Sequence, residues 1–144
     1  MFHKKNRVLI VSTNPQLSES LATWLRVEKL KPTRLGDVRL LDLMRTNDLA
    51  CVVIDTSCAS VQEIAAEAAK TPVLAIYADA PLHTVQTLHE AGVCRCINIT
   101  KSTREIAQEA AKIVKGSPLR CKEQYQIKDL LEAARGRLLT RGIA

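Results

Sequence analysis

The sequence predicts an α/β fold: a doubly wound parallel sheet of five strands, with one extra helix at the C-terminus. Three observations lead there. Short runs rich in Val and Ile alternate with stretches of helical periodicity five times over about 116 residues, and such alternation implies parallel strands joined by right-handed helical crossovers. Three of the runs are almost continuously apolar, as in strands buried on both faces. Aromatic residues make up only 3% of the chain, so the core must be assembled from Leu, Ile, Val and Ala.

The first strand is read at Arg7–Val11 (RVLIV). Asn14 then caps a helix that begins at Pro15, a favoured first position. Leu17, Leu21, Trp24 and Leu25 follow at three- and four-residue spacing and share one face. A weaker second strand lies near Pro32–Leu35. Asp37 opens the next helix, with Val38, Leu41 and Met44 inward. Ala50–Asp55 (ACVVID) is the third strand. Ser60 and Glu63 form a capping box ahead of an alanine-rich helix to Ala69, each side chain satisfying a free amide. Pro72–Tyr77 (PVLAIY) is the fourth strand. The helix after Asp79-Ala80-Pro81 carries Val85, Leu88 and His89 on one side and stops at Gly92. Cys94–Ile99 (CRCINI) is the fifth strand, and Arg95 and Asn98 within it point to a sheet edge. Ser102 and Glu105 make a second capping box, opening a helix that runs to about Lys115. Gly116-Ser117-Pro118 ends it. The chain thus divides into a domain at 1–118 and a C-terminal helix within 119–144. The apolar stripe of that helix is Ile127, Leu130, Leu131, Ala134 and Leu138.

Composition narrows the function. With 47% hydrophobic and 25% charged residues the chain is an ordinary globular one. No apolar run approaches the length of a membrane span, and Val8–Val11 is too short for a signal-peptide core, so a cytoplasmic protein is expected. Five cysteines without a C-x-x-C read as free thiols. His3, His83 and His89 show no ligand spacing with them. No metal or cofactor is predicted. The net charge of +6 is densest in the tail, where Arg135, Arg137 and Arg141 cluster. Asp129 and Glu132 interrupt that face, and no recognition-helix unit follows, so direct nucleic-acid binding is not expected. No glycine-rich phosphate loop follows any strand, and no nucleophile elbow is present, so an enzyme is not expected either.

Functional groups on such sheets gather at the carboxyl ends of the strands. Here those ends carry Ser12-Thr13, Asp55, Tyr77-Ala78 and Thr100-Lys101. An Asp and a Lys at the mouth of a five-stranded parallel sheet, with the stretch EAGVCRCINITKS leading to the lysine, resembles the receiver domain of bacterial response regulators. The resemblance covers residues 6–116 and implies the flavodoxin-like strand order 2-1-3-4-5. It also implies a chemistry that this chain departs from. In a working receiver an acidic pair after the first strand joins the phospho-acceptor Asp in holding Mg²⁺; the matching positions are Ser12 and Thr13. The Thr or Ser after the fourth strand is Tyr77, the aromatic of the fifth strand is Asn98, and Ser102 follows the lysine in place of Pro. Only Asp55 and Lys101 keep the family's residue type.

The resemblance therefore implies a degenerate receiver, in which Asp55 and Lys101 pair with each other and no phosphate is taken up. Its implied role is that of a protein-interaction or dimerisation module in signalling. Such a module controls gene expression through an attached or partner output domain. Partners would be a second copy or another signalling protein. Interface candidates are Val85, Leu88 and His89 on the receiver face, and Ile127, Leu130, Leu131 and Leu138 on the C-terminal helix, which serves as a linker or as a dimer helix. The alternative is a small-molecule or nucleotide-binding domain on the same scaffold.

Overall fold

The computed structural model describes residues 6–35, 49–78, 82–116 and 126–135. Strands β1 (Arg7–Val11), β2 (Lys31–Leu35), β3 (Leu49–Asp55), β4 (Val73–Tyr77) and β5 (Arg95–Asn98) form a parallel sheet in the order 2-1-3-4-5, with β3 at its centre. The burial of each strand follows from its place. Every residue of β4 is buried, and β1 and β3 are buried nearly throughout. The outer strand β2 is half exposed. Pro32 is tolerated there because an edge strand does not need every N–H for pairing.

Two cores cover the two faces, because alternate strand residues point to opposite sides. Val8, Ile10, Cys51, Val53, Leu74, Ile76 and Ile97 meet helices α1 (Pro15–Val27) and α4 (Thr103–Lys115) on one face. Leu9, Val11, Val52, Ile54, Val73, Ala75, Tyr77 and Cys96 meet α2 (Val61–Ala68) and α3 (Leu82–Glu90) on the other. Among the described residues a further helix, α5, covers residues 126–135 and reaches the second core with Leu130 and Ala133. Helices α1 and α4 are also joined by the hydroxyls of Ser20 and Thr103, 2.6 Å apart, and by the Arg104 guanidinium over the Trp24 ring.

The helix starts follow the expected capping chemistry. Asn14 accepts the amides of Gln16 and Leu17, and Ser60 and Glu63 complete their reciprocal box. At α4 only half of the expected box forms: Ser102 accepts the Glu105 amide, and no return bond from Glu105 is made. The helix expected to open at Asp37 lies outside the described residues.

Helices α1 and α3 end in the same way. Past each end one residue turns left-handed, and two amides reach back to carbonyls of the last turn, so that Leu30 bonds to Leu25 and Val93 to Leu88. The left-handed residue is Lys29 after α1, at φ 65°, and Gly92 after α3, at φ 105°. A Cβ is disfavoured in that conformation, whereas glycine adopts it without steric cost. Lys29→Gly is therefore expected to raise stability by roughly 1 kcal/mol, and Gly92→Ala to lower it by at least about as much. Urea denaturation of both variants checks the opposite signs.

Candidate functional site

The carboxyl ends of β1 and β3 bring Ser12 and Asp55 together. Both are buried. Asp55 ends β3 and caps the 3₁₀ turn Thr56–Cys58, with Oδ1 accepting the Ser57 amide at 3.1 Å and the Ser57 hydroxyl at 2.8 Å. Its Oδ2 accepts the Ser12 hydroxyl at 3.1 Å. Ser12 Oγ in turn accepts the Asn14 amide, which links the carboxylate to the start of α1. Thr13 is exposed and donates its amide to Cys58 Sγ. Three neutral donors thus hold Asp55.

Lys101 is not among its partners. Among the described residues no ion pair joins Asp55 to Lys101, against the pairing expected from sequence. The cause is local. Asn98 closes a turn at the end of β5, its carbonyl accepting the Lys101 amide and its Oδ1 the Thr100 amide. The turn carries Lys101 off the strand, and its exposed side chain lines a groove with Glu105, Gln108, Lys128 and Glu132. Tyr77 ends β4, as expected, and is buried in the second core.

The densest polar structure lies elsewhere, at the open edge of β5. Asp129 on α5 has no exposed surface. Its Oδ1 accepts Arg95 Nε at 3.0 Å. Its Oδ2 lies 2.8 Å from His89 Nε2 and accepts the backbone N–H of Cys96 at 2.7 Å. That amide belongs to a strand whose sheet partner, β4, is on the other side. A free edge strand offers such donors to any chain that can pair with them, and here a carboxylate covers one. Arg95 continues the network, bonding Glu109 on α4 and reaching Glu132 on α5 at 3.8 Å. One guanidinium thus gathers carboxylates from two helices.

This cluster corrects the expected helix stripe. Asp129, Leu130 and Ala133 face the body, while Ile127 and Leu131 point to water at 68% and 54% exposure. The inward face is turned by about one residue, roughly 100°, from the purely aliphatic one. Val85 and Leu88, expected at an interface, are buried in the chain's own second core. His89 is at an interface, but with α5. Leu138 lies outside the described residues. Sequence reasoning missed Asp129, Glu109 and Glu132 as partners of Arg95. The available signal was an arginine among apolar residues of a strand, which demands a carboxylate if it is buried.

His89, Cys96 and Asp129 offer three potential metal-ligand atoms within 4.8 Å of one another. Their chemistry favours hydrogen bonds over a cation. Both Asp129 oxygens already accept donors, and the Arg95 charge stands against the same carboxylate. Burial, then the nearby Asp129 charge, pushes the Cys96 thiol well up, away from the thiolate a metal needs. Burial also raises the Tyr77 phenol, followed in order by the charges of Cys96, Asp129 and Glu132, while a hydrogen bond from Asn98 opposes the shift.

The comparisons with known proteins bear on the fold. No family model matches the sequence, and no curated protein matches it. Solved structures do. The signal receiver domain of a putative LuxO repressor protein from Vibrio parahaemolyticus matches with a TM-score of 0.67 at 16% identity, over 89% of this chain and 98% of that one. An orphan response regulator of H. pylori matches with a TM-score of 0.67 at 14% identity, over 77% of this chain and 98% of that one. A beryllofluoride-activated receiver domain dimer matches with a TM-score of 0.66 at 17% identity, over 76% of this chain and 97% of that one. The chain has the fold of response-regulator receiver domains. Among the described residues no helix is long and apolar enough to cross a membrane.

The raised thiol and phenol give a pH dependence of known sign. Below pH 9 both groups are neutral in folded and unfolded chains alike. Above it the unfolded chain ionises from the ordinary values of 9.0 and 10.0, while the folded chain resists. Stability is therefore full below pH 9 and falls as the pH rises, by up to about 1.4 kcal/mol per pH unit for each group. Urea midpoints measured from pH 8 to 10.5 should fall more steeply for the wild type than for Cys96→Ser. Parallel slopes would contradict the assignment.

Proposed function

We propose that this chain is a phosphorylation-independent receiver-like module that works by protein–protein contact in bacterial signalling, controlling gene expression through an attached or partner output domain. The observation that carries the reading is the state of Asp55, a carboxylate whose oxygens are bonded by Ser12 and Ser57. Phosphoryl transfer between such groups depends on concentrated positive charge and in-line access. Mg²⁺ would have to supply that charge, and Mg²⁺ demands several hard oxygen ligands in near-octahedral geometry. The donors here do not fit it. Ser12 and Thr13 are neutral, Ser12 already donates to Asp55, and Lys101 faces a different groove.

With the mouth closed to that chemistry, the α3–β5–α4 side is the part of the surface built for recognition. It already binds a helix, and it does so with buried charge, the Arg95 guanidinium on the Asp129 carboxylate. Dimerisation through the same side would require α5 to leave it or to be shared between copies.

Incubation with acetyl phosphate or beryllofluoride and Mg²⁺ tests the reading through intact mass and amide spectra. No adduct and no shift of the Ser12, Asp55 or Ser57 amides is expected. A stable adduct abolished by Asp55→Asn would overturn it.

A further inference from the structure

The chain holds its positive charge unevenly. Residues 1–35 carry seven Lys and Arg against two Glu, while the tail at 119–144 carries six against three. The start of the chain, not the tail, is therefore the densest basic part. Folding gathers four of its charges on one edge. Arg26 lies in the last turn of α1, Lys29 follows that helix, and Lys31 and Arg34 lie on β2, the outer strand beside β1. All four are exposed, and among the described residues none is drawn into an ion pair. Glu28 is the one carboxylate in residues 26–35, and it is half-buried.

Two features bear on what this edge can hold. The Lys31 amide bonds to the Asn6 carbonyl, and the Leu35 carbonyl accepts the Ser12 amide, so the backbone of Pro32 and Arg34 is turned away from β1. Pro32 has no N–H to offer there, which makes the edge a poor template for an added strand. Lys31 and Arg34 project to opposite faces about 10 Å apart along the strand, so charge flanks the edge on both sides. The second feature is Lys29, which holds the left-handed conformation that Gly92 takes at the matching end of α3. Backbone strain of this kind marks positions kept for function, and what lysine has there and glycine lacks is the charge.

We infer that the α1–β2 edge is a sequence-independent contact for the phosphate backbone of duplex nucleic acid. The chemistry selects the ligand. An acidic protein would gain affinity through an apolar anchor seated in a pocket, and of the large apolar side chains in residues 24–35 only Val27 is exposed. Single strands are held by stacking on aromatic rings, and Trp24, the one such ring in residues 6–35, is packed against the core beneath Arg104. Duplex phosphates need neither: each cation that meets one releases a bound counterion. The contact stands apart from the interaction-module reading. Its use, adding to the grip of a DNA-binding output domain, rests on that reading.

The test titrates the full chain onto a fluorescein-labelled duplex of roughly 16 base pairs of random sequence, read by anisotropy between about 50 and 200 mM salt. Four phosphate contacts predict a slope of log affinity against log salt of about −3.6. Lys31→Gln with Arg34→Gln should weaken binding at least tenfold at the lowest salt and bring the slope to about −1.8. Lys29→Gly, expected above to be the more stable chain, should bind at least twofold less tightly, so that lost affinity with gained stability excludes misfolding as the cause. Arg135→Gln with Arg137→Gln should leave affinity within twofold. No binding by the wild type, an unchanged slope in the edge variant, undiminished affinity in Lys29→Gly, or binding lost with the tail arginines would overturn the inference. Equally tight binding to phosphatidylserine-containing vesicles, lost in the same edge variant, would overturn it in favour of a lipid surface. A phospho-adduct at Asp55 would overturn the reading of the strand mouth and leave this slope unchanged.

Discussion

The carboxylate of Asp129 holds three things that would otherwise conflict: an arginine buried under a helix, a histidine buried in a core, and a strand edge with an unpaired amide. Each alone would be costly. A buried guanidinium without a carboxylate loses its hydration for nothing, and a bare edge N–H is a site for unwanted pairing. One side chain answers all of them, with Arg95 Nε on Oδ1 and both His89 and the Cys96 amide on Oδ2. Glu109 and Glu132 take up the remaining side of Arg95. Removing Asp129 would take this partner from Arg95 Nε, the buried His89 ring and the Cys96 amide at once, unless α5 moved away and water replaced it. The cluster and the position of the helix are therefore one property of the molecule.

The same logic explains the contrast between the two ends of polar chemistry in this fold. At the strand mouth the carboxylate of Asp55 is served by hydroxyls and an amide, which hold it in place and carry no charge. At the sheet edge, the Arg95 charge meets opposite charge on Asp129 and Glu109 in a buried setting. Strong, directional interactions have thus collected at the edge. The lysine expected to complete the mouth has gone the same way, turned by the Asn98 turn into the groove between α4 and α5.

Much of the fold was legible from residue patterns, and the reason is local. Strands β1, β3 and β4 are continuous in apolar residues, Asn14 and Ser60 are caps of ordinary chemistry, and Gly92 marks a left-handed stop. Even the edge position of β5 showed itself through Arg95 and Asn98. The site was less legible because it is made by distance. Arg95 and Asp129 are 34 residues apart, and each alone reads as a surface charge. On the C-terminal segment two faces compete, one lined by Ile127 and Leu131 and one led by Asp129. The aliphatic face wins on hydrophobicity, while the polar face wins once Arg95 and His89 are present to receive it. The Asp55–Lys101 pairing failed for a similar reason: the Asx turn at Asn98 outweighs a long-range attraction that water at the mouth would screen.

The central claim is that Asp129 fastens α5 to the edge of β5, and the amide of Cys96 reports it directly. Hydrogen exchange of that single amide, followed by NMR in the wild type and in Asp129→Ala, gives the test. A bond to a buried carboxylate predicts slow exchange in the wild type and a rate at least tenfold faster in the variant, with the β1, β3 and β4 amides unchanged. Equal exchange at Cys96 in the two proteins would contradict the account.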